Sequence, residues 1–197
     1  MISRSRCSRY LALVIASLSL SLSSPSGDAV AQPTAGDETV AAGERLVALL
    51  DCNVCHSPKV FTAEGPRPDP SRLLSGHPSD EKLAPVPGGL IDPQGWGGVF
   101  SNGMTAWSGP WGTTFGTNLT PDPETGIGDW TEDIFSDAMR TGAHVGGARP
   151  VLPPMPVYDQ LTDEELHAIF SYLQSIKPVG NPVPEFRPPP ECKTSGM

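Results

Sequence analysis

The sequence predicts an all-α fold, with three or four helices and a long loop insertion rich in proline, glycine and tryptophan. Apolar residues recur at three- and four-residue intervals over 37–54 and again over 162–176, as expected for amphipathic helices. Residues 57–116 contain nine prolines and show no sustained period of either type. Because no segment has a convincing strand alternation, we expect helix and loop only.

The first 31 residues have the layout of a secretory signal peptide. Three arginines precede an apolar stretch over 10–22, and the small residues Ala29 and Ala31 mark a cleavage site. The apolar stretch is too short to cross a hydrocarbon core of roughly 30 Å. We therefore predict a periplasmic protein with no transmembrane segment in the mature chain. The expected organisation is a signal peptide (1–31), a linker (32–36), one domain (37–180) and a proline-rich C-terminal tail (181–197).

The mature chain is acidic. Removal of the signal peptide takes away three arginines and one aspartate, so the formal net charge changes from −9 to −11. This charge argues against a nucleic-acid partner, because phosphates would be repelled. It favours encounter with a partner that presents a basic docking surface.

Two later helices carry clear start signals. Thr131 can cap a helix that continues to Gly142, with Trp130 and Phe135 at the two positions of a hydrophobic staple. Thr162 and Glu165 form a capping-box pattern before the last apolar face, which ends ahead of Pro178. Within the loop insertion we expect only a short helical turn near residues 80–83.

The motif with the clearest chemistry is Cys52-Asn53-Val54-Cys55-His56, at the end of the first predicted helix. Two thiols three residues apart can add to the vinyl groups of one porphyrin edge, and the following histidine can then ligate the iron. Three alternatives are a thioredoxin-like dithiol, a structural zinc site and a plain disulfide. The first lacks a preceding strand, the second lacks a second close pair, and the third leaves His56 unexplained. Cys192 can be a free thiol or an intermolecular bridge.

Together these features resemble the class I c-type cytochromes, in particular the exported domains associated with dehydrogenases. The resemblance is carried by Gly43, the Cys52–His56 motif, Gly65-Pro66, and the run Phe170-Ser171-Tyr172-Leu173, with support from residues 117–131. It implies a class I cytochrome c fold around one covalently bound heme c with its iron.

The same resemblance implies specific contacts. Gly43 would meet Tyr172, or alternatively Phe170, where the first and last helices cross. The carbonyl of Pro66 would accept a hydrogen bond from His56, which would fix the imidazole tautomer. Trp111 and Asn118 are candidates for hydrogen bonds to the heme propionates, although ordinary packing or turn chemistry explains them equally well.

The second axial iron ligand is predicted to be Met155. Prolines at 153, 154 and 156 restrict the backbone around it, and it precedes the last helix, as the ligand methionine does in the family. The alternatives are Met104, His77, His144 and an open site, whereas Met139 has the spacing of a packing residue. His167 is expected on the surface or in packing.

These observations predict a monoheme electron carrier between a periplasmic dehydrogenase, or another redox protein, and the respiratory chain, with no catalytic residues of its own. A heme-based ligand sensor or peroxidase-like protein with an open distal site is the first alternative. A docking subunit that holds its partner through the tryptophan-rich residues 90–111 is the second.

Overall fold

The structure is a computed structural model, and it describes residues 34–91, 95–142 and 151–189. The described elements, in chain order, are α1 (Ala35–Leu49), α2 (Cys52–His56), β1 (Lys59–Thr62), β2 (Gly65–Pro68), β3 (Val99–Phe100), β4 (Ala106–Gly109), β5 (Gly112–Phe115), α3 (Glu132–Thr141) and α4 (Asp163–Ser175). The predicted signal peptide, His144 and Cys192 lie outside the described residues.

The prediction of an all-α fold is wrong. Helix accounts for only about 30 % of the described residues, and two antiparallel sheets lie within the segment predicted to be loop. β1 and β2 form a hairpin, and β3, β4 and β5 form a three-stranded sheet in that order. The strands are only two to four residues long, too short for a period-two pattern to stand out from the prolines and glycines around them.

The first helix ends earlier than predicted. Thr34 and Asp37 form a capping box at its start, and the helix ends at Leu49. Asp51 has a left-handed backbone with φ of 55°, which separates α1 from the short helix α2. Val54 therefore belongs to α2 and not to the apolar stripe of α1.

The two longest helices, α1 and α4, cross at Gly43. A Cβ atom on Gly43 would overlap the carbonyl of Ala168 and lie 2.8 Å from the Cβ of Tyr172. The predicted contact between Gly43 and Tyr172 is confirmed, whereas the ring of Phe170 packs against Phe135 with centroids 5.4 Å apart. The buried core around this crossing consists of Val47, Leu74, Ile127, Phe135, Leu166, Ile169 and Leu173.

Both later helix starts are confirmed. The hydroxyl oxygen of Thr131 accepts a hydrogen bond from the amide of Ile134, and α3 is followed by Gly142 in the left-handed conformation. Thr162 and Glu165 form the complete capping box of α4. Near residue 80 the chain makes a single turn, closed by the amide of Glu81 and the carbonyl of Pro78, and no helix follows within 81–91.

The C-terminal segment is held against the domain as far as residue 187. The main chain of Arg187 exchanges two hydrogen bonds with Thr113 of β5, at 2.7 and 3.0 Å. Its guanidinium lies 5.2 Å from the centre of the Phe115 ring, within cation–π range. The segment is extended, as expected, but these contacts attach it to the three-stranded sheet.

Candidate heme-binding site

The cysteine–histidine motif forms one short helix. Cys52 and Cys55 lie three residues apart on α2, and both side chains are half-buried. His56 is the last residue of this helix and is buried. The two thiols and the imidazole are thus presented from a single turn of backbone, the arrangement that two thioether bonds and one iron ligand on the same porphyrin require.

The properties of the two thiols disfavour a redox dithiol, a disulfide and a zinc site. Burial raises the pKa of Cys52 to about 11 and also raises the pKa of Cys55. A thioredoxin-like dithiol needs the opposite, a thiolate stabilised by a lowered pKa. The two sulfurs are not joined in a disulfide in this structure. Within the described residues, no group of three or more potential ligands could hold a metal ion, so a structural zinc site is not formed there.

His56 is oriented by a main-chain carbonyl. Its Nδ1 lies 2.8 Å from the carbonyl oxygen of Thr117, so Nδ1 is the donor and Nε2 is the nitrogen left to ligate iron. Burial lowers the pKa of His56, which favours the neutral imidazole that a metal ligand must be.

The predicted hydrogen bond between His56 and Pro66 is not formed. Pro66 lies in the hairpin strand β2, opposite Phe61, and it is exposed to solvent. The hairpin places it on the surface, while the buried ring of His56 meets Thr117 instead. The sequence offered no direct signal for Thr117, although it belongs to the segment that carried part of the family resemblance.

Two glycines allow the chain to pass close to the motif. A Cβ on Gly116 would overlap the carbonyl oxygen of Cys55. Gly76 has φ of +82°, and its amide donates to the carbonyl of His56 at 2.7 Å. A Cβ on Gly76 would lie only 2.7 Å from the carbonyl carbon of Thr117. Both positions therefore require glycine for steric reasons, and at Gly76 the backbone conformation requires it as well.

Asn118 is already fully hydrogen-bonded within the protein. Its amide nitrogen donates to the carbonyl of Val179 at 2.7 Å and to the hydroxyl of Thr125 at 3.0 Å. Its oxygen accepts from the amide and the hydroxyl of Thr120. Since the side chain is 3 % exposed and its hydrogen-bonding capacity is used, turn chemistry explains Asn118 and a propionate contact does not.

Two buried ring nitrogens have no partner among the described residues: Nε1 of Trp111 and Nε2 of His77. A buried N–H without a partner costs roughly 1–3 kcal/mol, so such atoms commonly serve a bound group. For Trp111 this fits the prediction of a propionate contact, which remains a prediction. His77 is fully buried, with Nδ1 2.9 Å from the hydroxyl of Thr105 and its ring against Phe115.

The segment that contains Met155 is anchored on both sides. The hydroxyl of Thr114 in β5 donates to the carbonyl of Pro153 at 3.1 Å, and the amide of Tyr158 donates to the carbonyl of Met139 at 2.8 Å. Burial raises the pKa of Tyr158, and nearby Cys52 contributes to the same direction. Met155, three residues before Tyr158, is half-buried.

The other candidate ligands have defined surroundings. Met104 lies in the turn between β3 and β4, with φ of 54°. Met139 packs against the hydrophobic core, as its spacing predicts. His167 is half-exposed and bonds to Glu132 at 2.9 Å, in agreement with a surface role.

The residues around α2 fit a covalently attached heme. Two half-buried thiols and a buried neutral imidazole whose Nε2 is not used in the bond to Thr117 form a suitable donor set. A heme bound here would supply one-electron redox chemistry at iron.

Comparison with known proteins agrees with this set of residues. The family profile described as cytochrome c matches residues 40–177. The chain is 31 % identical over 172 residues to the gluconate 2-dehydrogenase cytochrome c subunit of Pantoea cypripedii, covering 86 % of this chain and 29 % of the relative. It is 39 % identical over 95 residues to the fructose dehydrogenase cytochrome subunit of Gluconobacter japonicus, covering 47 % of this chain and 19 % of the relative. It is 40 % identical over 90 residues to a subunit of the nicotinate dehydrogenase of Pseudomonas putida, covering 45 % of this chain and 8 % of the relative.

The chain belongs to the cytochrome c family. The resemblance to class I c-type cytochromes of the dehydrogenase-associated type is thereby confirmed. Membership of this family implies a covalently bound heme c, and the match to cytochrome subunits of dehydrogenases favours the prediction of an electron carrier over the sensor or peroxidase-like alternative. The aligned part spans less than a third of each of the three relatives. Among the described residues, no helix has the length and apolar character needed to cross a membrane.

Proposed function

We propose that the mature chain is a periplasmic monoheme cytochrome that carries single electrons from a dehydrogenase towards the respiratory chain. Its heme is attached through Cys52 and Cys55, and its iron is ligated by His56 and Met155. The observation that carries the proposal is the geometry of α2, which presents both thiols and a buried histidine fixed by Thr117.

The proposal that Met155 ligates the iron is supported by the hydrogen bonds that hold its segment in place. The carbonyl of Pro153 accepts a hydrogen bond from the hydroxyl of Thr114. Thr114 lies three residues before Thr117, whose carbonyl orients His56. At the other end of the segment, the amide of Tyr158 donates to the carbonyl of Met139. The segment is therefore attached to the same structure that positions the proximal ligand. A thioether on the second face of the iron raises the potential and closes the site to exogenous ligands, which suits electron transfer.

The dehydrogenase partner is supported by the relatives, which are named as cytochrome or other subunits of gluconate, fructose and nicotinate dehydrogenases. The formal net charge of −11 that remains after removal of residues 1–31 favours association with a basic surface on that partner. The periplasmic location is supported by the signal-peptide pattern of residues 1–31.

The attachment is tested by expressing the full chain in a bacterial host with a cytochrome c maturation system and measuring the mass of the purified protein. We expect the mature polypeptide plus one heme, and reduced absorption bands of a low-spin c-type heme. Cys52→Ala and Cys55→Ala should each retain at most one thioether, and the double variant should retain none. An unmodified polypeptide mass from the competent host would refute the attachment.

The electron donor is tested separately. The oxidised protein is mixed with a periplasmic extract of its native host, and reduction is followed after addition of gluconate, fructose or nicotinate. We expect faster heme reduction with at least one substrate than with extract alone. Equal rates with and without all three would contradict a link to these dehydrogenase types.

A further inference from the structure

Two main-chain groups bond to His56, the carbonyl of Thr117 and the amide of Gly76, and both are held in place by a network of buried hydrogen bonds. Thr117 is exposed, so its own side chain does not fix the carbonyl that accepts from His56. The flanking residues do so, since Gly116 lies against Cys55 and Asn118 is buried. Through Nδ2, Asn118 is bonded to the carbonyl of Val179.

A second asparagine, Asn181, holds the chain on both sides of Gly76. Asn181 donates through Nδ2 to the carbonyls of Ser75 and His77, at 2.6 and 2.9 Å. Between these two carbonyls lies Gly76, whose amide donates to the carbonyl of His56. Asn181 thus fixes the residue that fills the space between His56 and Thr117.

The two asparagines are connected through the segment that follows α4. Val179 accepts from Asn118, and two residues later the amide of Asn181 donates to the hydroxyl of Thr125 at 2.9 Å. That same hydroxyl accepts from Asn118. A closed network therefore links His56, Thr117, the start of the C-terminal segment and Gly76. The two asparagine side chains are almost entirely removed from water, so they have no solvent partners to replace these bonds.

We propose that Asn118 and Asn181 are positioning residues that hold the Thr117 carbonyl against His56 and thereby set the reduction potential of the heme iron. This inference rests on the proposed role of His56 as the proximal ligand. A strong bond from Nδ1–H to a carbonyl makes the imidazole more basic and stabilises oxidised iron. Loosening the network weakens that bond, and the potential rises.

The direction of the shift separates this role from simple damage. A variant that only admits water to the heme stabilises the more highly charged oxidised site, and its potential falls. A variant that weakens the Nδ1–H bond shifts the potential upward. The two effects have opposite signs in the same measurement.

The experiment uses the heme-loaded full chain and the uncharged variants Asn181→Leu and Asn118→Leu, each of which removes the amide donors described above. Thr162→Ala is the control, because it removes the N-terminal cap of α4 and none of the hydrogen bonds of the asparagine network. We expect it to lower the stability of the protein without changing the potential. Midpoint potentials are measured by redox titration. Exchange of the His56 Nδ1–H is measured by NMR in the reduced, diamagnetic protein.

We expect both asparagine variants to raise the midpoint potential and to accelerate exchange of the His56 ring proton, while Thr162→Ala changes neither. An unchanged or lowered potential with unchanged exchange would overturn the proposal. If neither asparagine variant folds, the wild-type protein still tests the proposal through exchange of its His56 Nδ1–H. Rapid exchange there would contradict a hydrogen bond to a fixed Thr117 carbonyl and would overturn the proposal. A wild-type chain without heme would instead refute the proposed function.

Discussion

Gly116 lies directly against Cys55, and a Cβ on this glycine would overlap the carbonyl oxygen of Cys55. The contact joins the end of the three-stranded sheet to the short helix that carries Cys52, Cys55 and His56. It explains how strand β5 can deliver Thr117 to His56, because the backbones approach without an intervening side chain. The three-stranded sheet, which the sequence analysis did not predict, therefore supports the candidate heme site.

We predict that Gly116→Ala reduces the fraction of protein that carries heme. The added methyl group must displace the backbone at Cys55, and overpacking of this kind costs typically about 1–3 kcal/mol. The measurement is the ratio of heme to protein after maturation in a competent host. Gly97→Ala is the matched control, since a Cβ there meets no atom within 4 Å. Equal heme content in the two variants would contradict a tight contact at Gly116.

A second prediction concerns the crossing of α1 and α4. Gly43→Ala should lower the free energy of unfolding by roughly 1–3 kcal/mol, because the new methyl group meets the backbone of Ala168, which cannot rotate away. Urea denaturation of the heme-loaded protein measures the loss. Gly36→Ala in the first turn of α1 is the control and should stay within about 0.5 kcal/mol of wild type, because the nearest atom to its added Cβ is 3.7 Å away. Similar losses in both variants would indicate a general effect of helix substitution.

The sequence predicted the parts of this protein that depend on local chemistry. The caps at Thr131 and Thr162 and the helix end at Gly142 follow from hydrogen bonds among a few neighbouring residues, so they could be read directly. The position of Gly43 against Tyr172 required the family resemblance, because contacts between distant helices leave no local pattern.

The errors have other physical origins. The five strands pair with partners only three to nine residues away, but each strand is too short for its alternation to be recognised, and the break at Asp51 depends on a left-handed backbone that is uncommon for a residue other than glycine. The partner of His56 could not be predicted from spacing, because Thr117 lies 61 residues further along the chain. From the sequence alone, Asn118 is a candidate for a hydrogen bond to a heme propionate. In the fold its amide nitrogen donates instead to Thr125 and to Val179, in the segment that follows α4.

A third prediction is a pH-dependent stability that originates from His77. Burial, with a contribution from Arg187, lowers the pKa of this histidine from 6.5 to about 4, while Asp80 acts in the opposite direction. Glu81 lies 3.9 Å from Nδ1. Because the unfolded chain binds the proton more tightly, the stabilisation is present above pH 6.5 and is lost as the pH falls towards 4. The slope is at most about 1.4 kcal/mol per pH unit.

The corresponding experiment compares unfolding free energies of the heme-loaded protein between about pH 4 and pH 7. The decline should be less steep in His77→Gln than in wild type, whereas it should persist in His167→Gln, in which the substituted ring is half-exposed. Identical pH profiles for wild type and His77→Gln would show that His77 does not contribute.

The last prediction separates the two methionines that could complete the iron coordination. Met155→Ala should abolish the weak far-red sulfur-to-iron band of the oxidised protein, lower the potential, and allow the reduced iron to bind carbon monoxide stoichiometrically, because the thioether no longer closes the distal face. Met104→Ala should keep the band and exclude carbon monoxide, since this residue lies in the turn between β3 and β4. If the band were lost only in Met104→Ala, that turn would supply the ligand. A band that survived in both single variants would exclude each methionine, so the ligand would have to come from another residue.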